Sequence, residues 1–333
     1  MTLRTDSVIF DCPQNVHDPP GHILKMSAKR YRRHSADGTG LTLLFAHCVG
    51  AHKEQWEPTI ARIFERCAPS TVSEAWAVDW QNHGDSAVLN RELLSTSPSR
   101  VYGVSAIEWG EAVAAFIRSP HLRGKRIVPI GHSAGAGTLV LTMKDLPVCQ
   151  LVYPALILVE PTIIFKEDFY REIEERASTM DFVVTATLNR RERWKSREEA
   201  YSWMAKRVPW DVWDPRVLHM PTEHNLESTP DGGVITKADR RQEALCYVDT
   251  LPHFAAAEEL RRISSHVPVH FIWGKESVGT LVPENVKEAF ETGIAASVRT
   301  VEGGHLIVQE KPDAVADAIC DILDTIVLPR SKL

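Results

Sequence analysis

The chain has 333 residues and a net charge of −6, with 44% hydrophobic and 25% charged residues, a globular composition sufficient for one large core plus an inserted subdomain. The acidic balance argues against a nucleic-acid partner, and with no apolar run of roughly 18 residues and no charged-then-apolar N-terminal leader, no membrane span is expected. The six cysteines, Cys12, Cys48, Cys67, Cys149, Cys246 and Cys320, are scattered with no Cys-x-x-Cys pair, so neither a zinc site nor a disulfide framework is indicated and reduced, mostly buried thiols are expected.

Taken along the chain, Leu41 to Ala46 is an apolar run that stops at His47-Cys48-Val49-Gly50 and predicts a buried strand. A second strand, Ala75 to Val78, runs into the polar loop Asp79-Trp80-Gln81-Asn82-His83-Gly84-Asp85-Ser86. Asp79 and His83 to Ser86 are expected to hold this strand-to-helix connection and not to react. Residues 126 to 137 follow, and Ala155 to Val159 predicts another buried strand ending at Glu160-Pro161. From Pro161 to about Pro252 the pattern turns helical, tryptophan-rich and charged. Within it, Ser196 and Glu199 form a capping box opening a helix through Lys206, and Asp231-Gly232-Gly233 predicts a tight turn. Val267 to Gly274 and Ser297 to Gly304 complete the strands. The second of these leads into His305, and a helix is expected from about Pro312 to Ile326.

Strands alternating with helices predict an α/β fold with a mostly parallel sheet, whose ligands bind at the C-terminal strand ends. The polar residues collect at those ends. In Gly131-His132-Ser133-Ala134-Gly135, glycines two residues either side of Ser133 let a strand turn sharply into a helix and present the hydroxyl. A serine hydroxyl is a poor nucleophile at neutral pH. It needs an imidazole to take its proton and a carboxylate to fix the tautomer of that imidazole. Ser133 is the candidate nucleophile and His305 the candidate base. Ala134, first residue of the following helix, offers a backbone N–H as oxyanion donor.

The elbow, the Asp79 to Ser86 segment, the His47 loop and the Gly304-His305 ending together resemble the α/β-hydrolase fold family across residues from about 40 to 326. More narrowly, Phe45-Ala46-His47, His52-Lys53-Glu54, Trp56-Glu57-Pro58, Trp194 to Ala200 and Trp210 to Leu218 resemble a fungal branch of AK-toxin-type biosynthetic hydrolases and the acyl-CoA hydrolase of the mycophenolic acid pathway. The resemblance implies a helical lid at 161–252, inserted between core segments 1–160 and 253–328, and a second oxyanion donor at Val49, with Cys48 where relatives usually have glycine. Many relatives carry the triad acid at the position of Ser277. Two carboxylates therefore compete here, Glu160 and Glu276, with Glu160 at the acid position used by some lidded relatives. Serine at 133 sets the chain apart from relatives that use aspartate there, the dehalogenases and epoxide hydrolases, and makes acyl transfer to water the natural reaction.

The segment 329–333 ends in Ser331-Lys332-Leu333, the tripeptide read by the peroxisomal import receptor. The function expected is that of a peroxisomal matrix serine hydrolase acting on acyl-CoA thioesters, without metal or cofactor. A carboxylesterase or lactonase, or a hydrolase fold retained only to bind a ligand, are the alternatives. The cations Arg190, Arg191, Arg193, Lys195 and Arg197 could attract coenzyme A phosphates, but the glutamates among them favour an ordinary solvated face. The sequence leaves open whether the chain pairs as a homodimer.

Overall fold

The computed structural model describes residues 2–34, 40–277 and 282–327; the tail tripeptide lies outside them. Eight strands form the central sheet: β1 (Arg4–Asp11), β2 (Lys25–Arg32), β3 (Leu41–Ala46), β4 (Val72–Val78), β5 (Ile127–His132), β6 (Leu156–Val159), β10 (Val269–Gly274) and β11 (Ala295–Val301). Their order is β1-β2-β4-β3-β5-β6-β10-β11. All neighbours are parallel except the β1–β2 and β2–β4 pairs. Strands β3, β4, β5, β6 and β10 are buried at every position, as expected for parallel strands covered on both faces.

One face carries α1 (Glu57–Arg66) and α13 (Pro312–Val327). Ile60, Ile63 and Phe64 of α1 pack there with Val315, Ile319, Ile322 and Leu323 of α13. On the other face lie α3 (Ala106–Arg118), α4 (Ala134–Leu141), α10 (Leu251–Ile263) and α11 (Glu284–Gly293), contributing Trp109, Phe116, Leu139, Leu260 and Phe290 to the larger core. Helix α2 (Gly84–Thr96) follows β4, and the short α12 (Ile307–Glu310) precedes α13.

Two sheet strands escape the sequence reading. β2 reads Lys-Met-Ser-Ala-Lys-Arg-Tyr-Arg, too cationic for a core strand, yet it pairs on both sides. Its charges are matched by carboxylates on α1 and β4. Lys29 Nζ lies 2.7 Å from Glu57 Oε1, and Arg30 Nε donates to Glu74 Oε2 at 2.8 Å.

Between β6 and β10 the chain leaves the sheet. It builds α5 (Lys166–Arg171), α6 (Ile173–Asn189), α7 (Arg197–Met204), α8 (Pro215–His224) and α9 (Arg240–Val248). A small antiparallel sheet joins them, with β7 (Arg193–Trp194), β8 (Leu226–Ser228) and β9 (Val234–Thr236) in the order β7-β9-β8. Ser196 Oγ caps α7 by accepting from Glu199 N, and α7 stops at Met204, two residues before the end read from the sequence. These elements have their own core of Trp194, Ala200, Met204, Leu218, Leu226 and Val234.

Candidate active site

β5 ends at His132, and α4 begins at Ala134, so the whole turn falls on one residue. Ser133 adopts φ 54° and ψ −118°, a conformation that costs a non-glycine residue about 1–3 kcal/mol. The sheet holds it there through Ser133 N–H, which donates to Val159 O at 3.0 Å. The flanking glycines make the turn sterically possible. A Cβ at Gly131 would lie 2.5 Å from Ala136 Cα, and one at Gly135 would lie 2.5 Å from the carbonyl oxygens of Ala46 and His47.

His305 comes from the loop after β11. Gly304 N–H donates to Glu310 Oε2 at 2.9 Å, and a Cβ at Gly274 would come within 2.5 Å of Gly304 O, so this loop sits directly on the end of β10. The carbonyl of His305 accepts from His132 Nε2 at 2.8 Å. That assigns the tautomer of His132, whose imidazole burial pushes down to about 3 and so keeps neutral.

Glu160, the residue after β6, is the second non-glycine residue with positive φ, at 46°. The bend turns its side chain across the end of β10, where the carboxylate is 2% exposed. Oε1 accepts from Gly274 N–H at 2.6 Å, and Oε2 accepts from Ser277 Oγ. Oε2 also lies 3.0 Å from His305 Nδ1, and His305 Nε2 lies 2.9 Å from Ser133 Oγ. An unbroken hydrogen-bonded chain thus runs from carboxylate through imidazole to hydroxyl.

Of the two competing carboxylates, Glu276 does not reach this chain. It is exposed, and its backbone N–H donates to Gly303 O at 3.0 Å while its side chain makes no bond to His305. Ser277 stands where relatives carry the acid, and here it donates to Glu160 instead. Its hydroxyl was not foreseen as part of the site, although its place in the β10 loop was the available signal.

The loop after β3 is braced by two buried, neutral histidines. His47 Nδ1 donates to Cys48 O at 2.7 Å while Nε2 accepts from Trp80 N–H at 3.1 Å, and burial pushes its imidazole down to about 3. His83 Nε2 accepts from Gly50 N–H at 3.1 Å. Asp79 accepts from Lys53 N–H at 2.8 Å, Lys53 Nζ at 3.0 Å and Asp85 N–H at 3.0 Å, and Gly84 must be glycine because a Cβ would meet that carboxylate. These residues form scaffolding away from Ser133 Oγ. Cys48 Sγ faces Gln309 Nε2 at 3.5 Å, and Gln309 also donates to Gln55 Oε1 at 2.9 Å. Gln309, one helical turn past His305, ties the two loops together and was likewise not foreseen.

Ser133, Ala134, Val49 and His305 all open onto a cavity of about 880 Å³, within the range of small-molecule sites. Its far walls come from the segment between β6 and β10, including Phe169, Met180 and Val183, with Trp203, Trp210 and Trp213 at one end. The cationic run from 190 to 197 is largely committed elsewhere. Arg190 forms a two-pronged ion pair with buried Glu243, Arg191 lies 2.8 Å from Glu199, and Arg193 lies 3.2 Å from Asp231. Arg197 donates to carbonyls of α8 and β8. Among the described residues, no cluster of His, Cys, Asp and Glu has metal-binding geometry and no helix is long and apolar enough to cross a membrane.

Comparison with known proteins agrees with this architecture. The chain is 26% identical over 215 residues to the "Type I acyl-CoA thioesterase mpaH" of Penicillium brevicompactum, covering 62% of this chain and 46% of that protein. It is 32% identical over 147 residues to the "Peroxisomal membrane protein LPX1" of Saccharomyces cerevisiae, covering 42% and 35%. The chain thus matches less than half the length of either. It is also 26% identical to the "Abhydrolase domain-containing protein ACTT2-1" of Alternaria alternata, covering 60% of this chain and 83% of that protein. Among solved structures, the peroxisomal alpha-beta-hydrolase Lpx1 of Saccharomyces cerevisiae superposes with a TM-score of 0.74 at 20% identity, covering 99% of this chain and 93% of that one. Residues 43–318 match the profile of the Alpha/beta hydrolase family, to which this chain belongs.

Proposed function

We propose that the protein is a serine hydrolase that cleaves acyl-CoA thioesters through an acyl-enzyme. The observation that carries this reading is the continuous Glu160–His305–Ser133 chain, with contacts of 3.0 and 2.9 Å. His305 Nε2 takes the proton of Ser133 as Oγ attacks the thioester carbonyl, and Glu160 stabilises the imidazolium through Nδ1–H. Collapse of the tetrahedral intermediate breaks the C–S bond, and the thiol leaves with the proton from His305. Water, deprotonated by the same imidazole, then releases the acid and restores Ser133.

The oxyanion is assigned to the N–H groups of Ala134, at the start of α4, and Val49. Val49 is the position that the family resemblance gives as the second donor, and the N–H of the next residue, Gly50, is held by His83 Nε2. The segment 161–252 is assigned as the lid over this chemistry. Segments 1–160 and 253–328 form the frame, and 329–333 is the tail. Choice of a thioester rests on the names of the fungal thioesterase relatives. A peroxisomal place of action is part of the same reading, supported by the name of the yeast relative, and import is expected to require Ser331-Lys332-Leu333.

The test is turnover of a panel of acyl-CoAs and matched oxygen esters, beside fluorophosphonate labelling. Wild type is expected to release free thiol and to label, with both lost in Ser133→Ala. Glu160→Gln should lower kcat by about a thousandfold or more, and Glu276→Gln by less than about twofold. Cleavage of oxygen esters alone would reassign the protein as a carboxylesterase or lactonase. An unlabelled Ser133 with no turnover would overturn the hydrolase reading in favour of a binding protein.

A further inference from the structure

The cavity has two chemically different walls. On α6, Met180, Val183 and Ala186 fall at helical spacing and line it with apolar surface, continued by Ile164 and Phe169. Opposite in character is the corner between α9 and α10, where Tyr247, Thr250 and His253, three residues apart in sequence, line the same space. Most of their side-chain polar atoms have no protein partner among the described residues. Among the described residues, no group pairs with the Tyr247 or Thr250 hydroxyl, and His253 uses only Nδ1, which donates to Thr162 O.

Burial raises the Tyr247 phenol well above its usual range and lowers the His253 imidazole, so both are neutral near pH 7. With Nδ1–H committed to a carbonyl, neutral His253 presents Nε2 as a bare acceptor. The same chamber is lined by the hydroxyl-bearing side chains of Tyr247 and Thr250, able to donate or accept. The three residues are half-buried, so a ligand that enters the chamber displaces water from these groups and must itself meet their hydrogen-bonding capacity. A hydroxyl meets these demands, since it donates to an imidazole nitrogen and accepts from a phenol or threonine. A carboxylate has no proton to donate to His253 Nε2.

We infer that Tyr247, Thr250 and His253 form a specificity strip that selects acyl groups bearing a hydroxyl, with the hydrocarbon body lying against α6. This deepens the hydrolase reading and rests on it for the word acyl, but binding can be tested without turnover. Sites built to hydrogen-bond a substrate hydroxyl discriminate strongly against analogues lacking it, because their own polar groups are then left unpaired.

The experiment is calorimetric binding of dodecanoic acid and its monohydroxy isomers to the full-length Ser133→Ala protein, repeated with Tyr247→Phe and His253→Phe added singly. Melting temperatures verify that each variant is folded. At least one hydroxy isomer is expected to bind about tenfold more tightly than dodecanoic acid, and each added substitution should bring that ratio toward one. Equal binding of every isomer, no binding of any, or a preference that survives both substitutions overturns the inference. Failure of the hydrolase reading is separately visible as an unlabelled Ser133, which this binding ratio does not touch.

Discussion

Glu160 receives three hydrogen bonds on two oxygens, from Gly274 N–H, Ser277 Oγ and His305 Nδ1. In the proposed reaction only the last transmits anything to Ser133, and the other two fix where the carboxylate points. Such supporting contacts orient a reacting group without touching substrate. Ser277→Ala should therefore lower kcat by roughly three- to tenfold with KM almost unchanged, and Ser277→Thr should recover most of the loss. Steady-state kinetics on the best substrate check this, and a KM effect as large as the kcat effect would place Ser277 in substrate binding instead. From the sequence, Ser133, His305 and Glu160 were legible because each ends a strand-like run beside glycine or proline. Ser277 and Gln309 were not, since their roles depend on contacts across 117 and 254 residues of sequence.

At the scale of elements, the elbow and α4 contain three glycines whose tolerance differs. A Cβ at Gly135 would collide with two backbone carbonyls at 2.5 Å, whereas one at Gly137 would meet Ala256 Cβ at an ordinary 3.7 Å. Gly135→Ala should cost at least about 2 kcal/mol or prevent folding. Gly137→Ala, inside the helix, should be neutral or stabilise by about 0.5–1 kcal/mol. Urea denaturation of the pair measures the contrast, and a tolerated Gly135→Ala would mean that α4 can retreat from β3. The parallel strands were legible at this scale because burial on both faces leaves uniform apolar runs. β1 and β2 were not. They belong to the antiparallel margin, where the cations of β2 read as surface until their partners on β1, β4 and α1 are in place.

For the molecule as a whole, the buried histidines set a pH dependence. His47 and His132 are pushed to about 3 and His270 to about 4, against an ordinary value of 6.5. The unfolded chain therefore takes up protons at these sites below about pH 6.5 that the folded chain refuses. Stability contributed by the neutral rings is complete above that pH and is lost as pH falls toward 4 and 3. Unfolding free energy should drop by more than about 1.4 kcal/mol per pH unit between pH 6 and 5, above the range where most carboxylates titrate. His270→Gln, which removes a ring hydrogen-bonded to Ser297 alone among the described residues, should reduce that slope by nearly one proton. Denaturant titrations across this interval decide the matter, and a flat profile would show the rings to be open to water.

The Arg190–Glu243 pair acts at the same scale, joining α6 to α9 against the Gly50 loop. Arg190→Ala leaves a buried carboxylate without its counter-charge and should destabilise by about 3–5 kcal/mol. Limited proteolysis should then cut first within 161–252. An unchanged melting temperature would mean that water reaches Glu243 in place of the lost guanidinium.

The chain leaves the sheet after β6 and returns as β10, and these two strands are hydrogen-bonded neighbours, with Leu156 opposite Val269. Nothing in the register of the sheet depends on how many residues lie between them, since lengthening a connection costs only slowly growing entropy. Ser133, Glu160 and His305 sit on or beside the strands of the central sheet, and most of the chamber wall sits on the excursion. Under the proposed function, exchange of that excursion for another of different length would leave the frame intact and change what it acts upon, so a reaction and a diet would be inherited separately.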